Sequence, residues 1–332
     1  MTVLEIPTDT TALRAPGRPD AWTILGKSVH TAGNAQQALD QAALSNWNVS
    51  VWDDVNVSRF DESGVTTLKM ADTRATVRTN PVTGKAEYLG TVGTQYTPVQ
   101  IDDHMDMLDM FNRESGATFH KAGAYGRNNS KFFVSMVLPR IVRVGGIDAH
   151  RMHVTLFGSH DGKSSNSFHI GPTRLDCGNM QRLIIKGATH KYDISHTASA
   201  PSKIREVHQA LATLFDWQDA FERDADRLLN TPLSLGQFEQ IADSLWDTPV
   251  TKRQLTNYEA RTKTLRSLFL DADTQESIRG TAWAGFNAIG EYLDHYGRAN
   301  SPALRAARSL ADTGAVTDRK TDAFNQLFAL AA

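Results

Sequence analysis

The segments ATFHKAGAYG (117–126) and KFFVSMVLP (131–139), separated by RNNS at 127–130, decide the fold class of this chain. Both contain the aromatic and β-branched residues that strands favour, and the polar loop between them is short. Asn128 and Asn129 suit the turn because asparagine tolerates a positive φ angle. We therefore predict an antiparallel β-hairpin over this stretch.

Two further turns extend this pattern on either side. HRMHVTLFGS (150–159) and SNSFHIGPTRL (165–175) flank Asp161-Gly162, a dipeptide that strongly favours a hairpin turn. Upstream, a Pro- and Gly-containing turn at 80–85 separates two more extended segments. The sequence therefore predicts an antiparallel sheet built from successive hairpins.

The N-terminal part combines one strand with two helices. NWNVSVWDDVNV (46–57) alternates apolar and polar residues apart from a break at 52–54, which predicts a strand. A helix is predicted over 35–44, with Asn34 as its N-cap. A second helix is predicted over 101–116, because acidic residues occupy its first turn and Gly116 ends it.

The chain changes character after Pro201. A long amphipathic pattern over 202–230 is followed by further helical segments with polar breaks between them. We predict an α+β protein: an irregular N-terminal arm (1–21), an α+β core domain with an antiparallel sheet, basic hairpins and packed helices (22–200), and an all-helical C-terminal region (201–332). A short helix at 179–183 and a strand at 183–192 are expected to close the core domain.

Composition indicates a globular chain that works in a reducing compartment. Of its 332 residues 40% are hydrophobic, which suffices for a core, and no run approaches the ~18 apolar residues of a membrane span. The start carries acidic residues and lacks the pattern of a secretory signal. A single cysteine, Cys177, excludes an internal disulfide. We expect a cytoplasmic protein without a membrane partner.

The net charge of −2 hides an uneven distribution. Residues 1–110 hold 8 Lys and Arg against 14 Asp and Glu, residues 111–210 hold 14 against 6, and residues 211–332 hold 13 against 17. The central block also contains 8 of the 11 histidines. Such asymmetry points to an anionic partner, or to a basic segment packed against its own acidic flanks.

No motif for enzyme chemistry stands out. His150, His153, His160, His169 and Cys177 are close in sequence, but they form no HxH, CxxC or HExxH pattern. His150 and His153 also fall on opposite faces of a strand. Cys177 could pair with a histidine as a nucleophile, although a lone cysteine is more often a buried structural residue. We expect no catalytic residue, no metal and no cofactor.

Basic residues interleaved with aromatic residues favour nucleic-acid binding. Cations that follow phosphates and flat side chains that stack on bases are what a single-strand groove requires. Phe133 and Phe157 are assigned to the core, because an alternating strand buries one face. The residues predicted to contact nucleic acid are Lys121, Tyr125, Arg127, Lys131, Arg151, Lys163, Arg174 and Lys186.

Several stretches resemble one family. They are GRPDAWTILGKSV (17–29), YLGTVGTQYTPVQ (88–100), KAGAYGRNNSKFFVSMVLP (121–139), LFGSHDGKSSNSFHIGPTRLDCGNM (156–180) and GTAWAGFNAIGEYLDH (280–295). Together they resemble the phage/plasmid-like proteins of unknown function common in actinobacteriophages. Ile101 stands where that family tends to have asparagine, and Trp22-Thr23-Ile24 replaces its Trp-His-Gly. The resemblance implies a phage origin and no particular activity.

In outline, the order of strands, helix and basic hairpins is also similar to phage single-strand annealing proteins, which oligomerise and hold DNA in a basic groove. Our leading hypothesis is a non-enzymatic nucleic-acid-binding protein of phage DNA metabolism, with single-stranded DNA as partner. We expect a homo-oligomer assembled through the C-terminal helices. Two alternatives stay open: a metal-dependent enzyme that uses the central histidines and Asp161, and a phage protein that binds an acidic host protein.

Overall fold

The computed structural model describes residues 19–175, 178, 191–197, 200, 210–311 and 313–331, with side chains from Asp216 onward in the segment that starts at 210. The strands are β1 (Lys27–Ser28), β2 (Ser50–Trp52), β3 (Asn56–Asp61), β4 (Gly64–Lys69), β5 (Arg74–Thr79), β6 (Ala86–Val92), β7 (Thr118–Tyr125), β8 (Lys131–Val144), β9 (Asp148–Ser159), β10 (Asn166–Arg174) and β11 (Lys191–Ile194). The helices are α1 (Ala21–Leu25), α2 (Ala35–Ala42), α3 (Met105–Ser115), α4 (Ala210–Leu229), α5 (Leu235–Ser244), α6 (Lys252–Leu270), α7 (Ala282–Glu291), α8 (Pro302–Leu310) and α9 (Ala315–Leu330).

The predicted α+β class is confirmed. A six-stranded antiparallel sheet has the order β1-β7-β8-β9-β10-β11, a three-stranded sheet has the order β2-β5-β6, and β3 pairs with β4 in a two-stranded sheet. Most of the predicted N-terminal arm (residues 1–18), the predicted helix at 179–183 and most of the strand predicted at 183–192 lie outside the described residues.

The two central hairpins form as the turn residues require. β7 pairs with β8 and β9 pairs with β10, in both cases antiparallel. Asn128 and Asn129 adopt φ angles of 56° and 51°, and Gly162 adopts 73°. β8 and β9 extend beyond the first hairpin and are joined by the turn at Gly145–Ile147. These two long strands form the centre of the six-stranded sheet.

The start of α2 and the end of α3 coincide with predicted signals, whereas α3 begins at Met105, after a 3-10 turn at Asp102–His104, and not at 101 as predicted. The Asn34 side chain accepts a hydrogen bond from the Gln37 amide at 2.9 Å, which caps α2. Gly116 ends α3 in the left-handed conformation, at φ 69°. Both helices pack on one face of the six-stranded sheet, and their apolar residues Leu39, Leu108 and Phe111 belong to the main core.

The strand predicted over 46–57 is interrupted. β2 ends at Trp52, and β3 begins at Asn56 after a bend with two aspartates, so the alternating pattern spans two separate pairings. β2 pairs with β5 in the small sheet, whereas β3 and β4 form a hairpin in which every residue is exposed. The two-aspartate break in the sequence therefore marks the root of a protruding hairpin.

The small sheet packs against the turn between β9 and β10. The Thr76 hydroxyl donates a hydrogen bond to the His160 carbonyl at 2.5 Å. A Cβ at Gly90 would lie 2.6 Å from the Asp161 Cα, so only glycine allows this approach. This approach fixes the position of the loop that carries Lys163.

A buried polar network joins the six-stranded sheet to the C-terminal helices. Asp148 at the start of β9 accepts from Arg174 Nε at 2.7 Å and from Trp283 Nε1 of α7 at 2.6 Å. Arg174 also donates to Gln275 Oε1 at 3.5 Å. One continuous apolar cluster likewise contains residues from both regions, for example Val154 and Phe286. The sheet and the C-terminal helices therefore share one core.

Candidate nucleic-acid interface

The two faces of the six-stranded sheet differ in chemistry. Successive residues of a strand point to opposite faces. Ala122, Val134, Leu156 and Phe168 are partners across β7 to β10, and they belong to the main core. The neighbouring row on the other face contains Lys121, Ser135, Thr155, His169 and Lys191. The register thus places an apolar row beside a polar one.

The register brings four predicted residues to this polar face. Tyr125 pairs with Lys131 two rows from Lys121, and Arg151 lies further along β9 with the same orientation. All four side chains are half-buried. We define the basic face as these four residues together with Arg127 and Lys163, which are exposed in the loops at the end of the sheet next to Tyr125 and Lys131.

A carboxylate organises the two loops. Asp161 accepts hydrogen bonds from the Ser159 hydroxyl at 2.5 Å, the Ser130 hydroxyl at 3.3 Å and the Lys163 amide at 3.0 Å. The His160 amide also donates to the Ser130 carbonyl at 2.8 Å. The loop that carries Arg127 and the loop that carries Lys163 are therefore held side by side, and their cations emerge at the same end of the sheet.

Four cations of this face have no acidic partner among the described residues. Across the described ranges, no carboxylate lies within 4 Å of the side-chain nitrogens of Lys121, Arg127, Lys131 or Lys163. Arg140 shows the opposite case, since it donates to Asp219 at 2.8 Å and to Glu222 at 2.5 Å, both on α4. Only part of the central positive charge is thus neutralised by the C-terminal helices.

Two predicted contact residues do not join the basic face. Arg174 is fully buried on the opposite side of the sheet in the ion pair with Asp148, where it joins the sheet to the helices. The ion pair with Asp148 explains why a cation occupies a position of β10 that faces the core. Lys186 lies outside the described residues.

The aromatic residues also divide between core and surface. Phe133 and Phe157 are buried, as predicted, in a small second cluster with Trp22 of α1 and Leu310 of α8. Tyr125 packs on the edge of this cluster, with its ring centroid 6.1 Å from that of Phe133. It is the aromatic side chain of the basic face that lies beside the unpaired cations.

A row of buried polar side chains lies in the middle of the same face. His153 Nδ1 is 3.0 Å from the Ser135 hydroxyl, and His169 Nε2 is 2.8 Å from the Ser167 hydroxyl. Trp22 stacks on His153 with a centroid distance of 5.6 Å. Because Ser135 is fully buried, its contact with His153 satisfies internal polar groups and exposes no nucleophile. The alternating serine and threonine residues of the strands were the signal for this row, which the sequence analysis missed.

Three histidines form a separate cluster between the two sheets. His160 and His196 have ring centroids 5.7 Å apart, and neither ring nitrogen of His160 has a hydrogen-bond partner among the described residues. Burial lowers the pKa of His104 and of His160 to about 3, and that of His196 to about 4. Mutual repulsion adds to the effect for His104 and His160. These imidazoles are therefore neutral at pH 7.

The histidines do not assemble as a metal site in the described part of the chain. His150 contacts the Asp148–Arg174 pair, His153 and His169 lie on the basic face, and His160 lies in the three-histidine cluster. Within the described ranges, no group of three or more His, Cys, Asp or Glu side chains could hold a metal ion. Cys177 lies outside the described residues. Where helices are described, none is long and apolar enough to cross a membrane.

The fold and this face define an α+β protein whose antiparallel sheet carries, on the side opposite the main core, a rim of cations that have no acidic partner among the described residues. Residues 88–322, from β6 to α9, match the family described as a domain of unknown function, DUF932. Because the match spans most of the chain, the protein belongs to this family. No curated protein and no solved structure matches the chain. The exposed β3–β4 hairpin lies outside the matched residues.

Proposed function

We propose that this protein binds nucleic acid without an enzymatic activity, with single-stranded DNA as its ligand, and that it acts in annealing or recombination of phage DNA. The observation that carries the proposal is the group of four unpaired cations, Lys121, Arg127, Lys131 and Lys163, at one end and one face of the sheet. Unpaired cations gather phosphates because binding releases the counterions condensed on the nucleic acid.

The choice of a single strand rests on Tyr125. It is the direct partner of Lys131 in the register and shares its face, so a strand whose phosphates contact Lys131 would pass its ring. Stacking of a base on an aromatic ring requires a base that is free of its duplex partner. The phage setting and the cytoplasmic location are supported by the sequence resemblance and by the single cysteine, respectively.

Fluorescence anisotropy with a labelled single-stranded oligonucleotide tests the proposal. With about four phosphate contacts, we expect the affinity to fall roughly 50-fold between about 50 mM and about 200 mM salt. The double variant Arg127→Glu/Lys131→Glu removes two contacts, so its affinity at low salt should drop and its salt slope should shrink by about 1.4.

The matched control is Lys85→Glu/Arg113→Glu, which reverses two exposed cations elsewhere on the molecule. It changes the net charge equally and should leave most of the binding intact. Absence of binding at low salt, or an equal loss in both double variants, would contradict the proposal. A duplex of the same sequence competing as well as the single strand would contradict the choice of ligand.

A further inference from the structure

The β3–β4 hairpin is an arm that stands clear of the body. All twelve residues of its two strands are exposed. It nevertheless carries large apolar side chains: Phe60 is 77% exposed, Leu68 67%, Val65 61% and Val57 55%. The register pairs Val57 with Leu68 on one face of the hairpin and Phe60 with Val65 on the other. Each face of the arm therefore carries one exposed apolar pair, one near its root and one near its tip.

An arm of this kind requires a partner. A two-stranded hairpin is marginal in water unless a face of it packs against another element. Both outer edges of this hairpin offer unpaired backbone groups, and its strands contain no proline that would block pairing. The apolar residues and open edges together are typical of an interface that a separate molecule covers.

A second exposed segment, the start of α6, complements the arm in apolar character and in charge. Residues 252–257, the first turns of α6, are exposed on every side. The helix forms there because Thr251 and Gln254 make a reciprocal capping box. Val250 just before it is 83% exposed, and Leu255 is 47% exposed. The C-terminal region is acidic as a whole, and this average hides a local concentration of positive charge at the start of α6.

The two protrusions have opposite charge. Residues 53–69 hold four acidic residues against two basic ones, and residues 252–263 hold four basic residues against one acidic. Arg59 and Lys69 of the arm are already paired with Asp61 and Asp54. Glu62 at the arm's tip, and Lys252, Arg253 and Lys263 on the helix, have no ion-pair partner among the described residues.

We propose that the arm of one copy docks on the exposed N-terminal half of α6 in a second copy. Phe60 and Val65, which share one face near the tip of the arm, would cover Val250 and Leu255, and Glu62 beside them would face the basic helix. Both surfaces are exposed within one chain, so the arm does not reach its own α6. Two arms facing each other would repel, which favours the helix as the occupant.

This contact joins two different surfaces, so it is heterologous: each copy offers one arm and one helix. Such a contact propagates into a ring or a filament unless one surface is blocked. It uses residues outside the basic face, and it can be measured with the protein alone, in the absence of nucleic acid.

Sedimentation velocity of the full chain tests the contact in the absence of nucleic acid. At about 50 mM salt, the wild-type protein should self-associate beyond a dimer as its concentration rises, and high salt should weaken the association. The arm variant Phe60→Ser/Val65→Ser and the helix variant Arg253→Glu/Leu255→Ser should each be monomeric. Val82→Ser, which changes an equally exposed apolar residue in another turn, should assemble as the wild type does.

The decisive measurement is a mixture of the arm variant with the helix variant. Each retains the surface that the other lacks, so an equimolar mixture should form a 1:1 dimer and nothing larger. A wild type that stays monomeric up to about 100 µM, a helix variant that still self-associates, or a mixture without heterodimer would each overturn the proposal. Loss of oligonucleotide binding by itself would bear only on the proposed function.

Discussion

The two faces of the six-stranded sheet differ in whether their positive charges are balanced by acidic residues. On the face toward the C-terminal helices, Arg174 is buried and its charge is balanced by Asp148. On the other face, Lys121 and Lys131 reach toward solvent without an acidic partner in the described part of the chain. A basic segment of sequence can therefore combine cations that are neutralised in the core with cations that stay at the surface, and only their surroundings distinguish the two.

Removal of the buried cation should have the largest effect on the stability of the protein. Arg174→Met leaves the Asp148 carboxylate buried without its cation, and such losses cost about 3–5 kcal/mol of unfolding free energy. Urea denaturation followed by circular dichroism measures it. Arg140→Met, which removes an exposed pair, is the control and should cost about 0–1 kcal/mol. Similar losses in the two variants would remove the distinction between the faces.

Acid should lower the stability of the folded protein through its buried histidines, while the lysines and arginines of the basic face keep their charge. The pKa values of His104, His160 and His196 in the folded protein lie below the ordinary 6.5, so the unfolded chain binds more protons between pH 6.5 and about 4. The contribution is complete above pH 6.5 and is lost as pH falls, by about 1.4 kcal/mol per pH unit for each histidine. Denaturation midpoints from pH 7 to pH 4.5 measure it.

The matched variant is His160→Phe. The His160 ring stacks on Phe132 with a centroid distance of 5.7 Å, so phenylalanine keeps the aromatic contact and removes one titrating group. We expect a shallower decline of stability with falling pH than in the wild type. An unchanged slope would show that this cluster does not control the acid sensitivity.

The smallest effect is expected from substitutions of Tyr125, the aromatic side chain of the basic face. Tyr125→Leu keeps apolar packing beside Phe133 but removes the stacking surface, and it should cost about 1–3 kcal/mol of binding to single-stranded DNA. Because no charge is removed, the salt slope should not change. Tyr125→Phe is the control and should bind as the wild type does. Equal binding by all three proteins would exclude stacking at this position.

Local signals predicted much of the fold. The Asp161-Gly162 turn, the Asn34 cap and the Gly116 stop act through neighbouring residues, and each is observed where the sequence placed it. The site was only partly predictable, because alternation within a strand says which residues share a face but not which face is covered. Arg174 and Lys121 have similar sequence surroundings, and only one of them is buried.

By itself, the sequence determined the α+β class, the two central hairpins and the basic character of the middle block, because turn chemistry, periodicity and charge count are local properties. The tertiary structure decided which cations are balanced, that α1 covers the centre of the basic face, and that the β3–β4 arm and the start of α6 are left uncovered. Burial and ion pairing depend on residues far apart in the chain, such as Asp148 and Trp283, and their approach is set by packing.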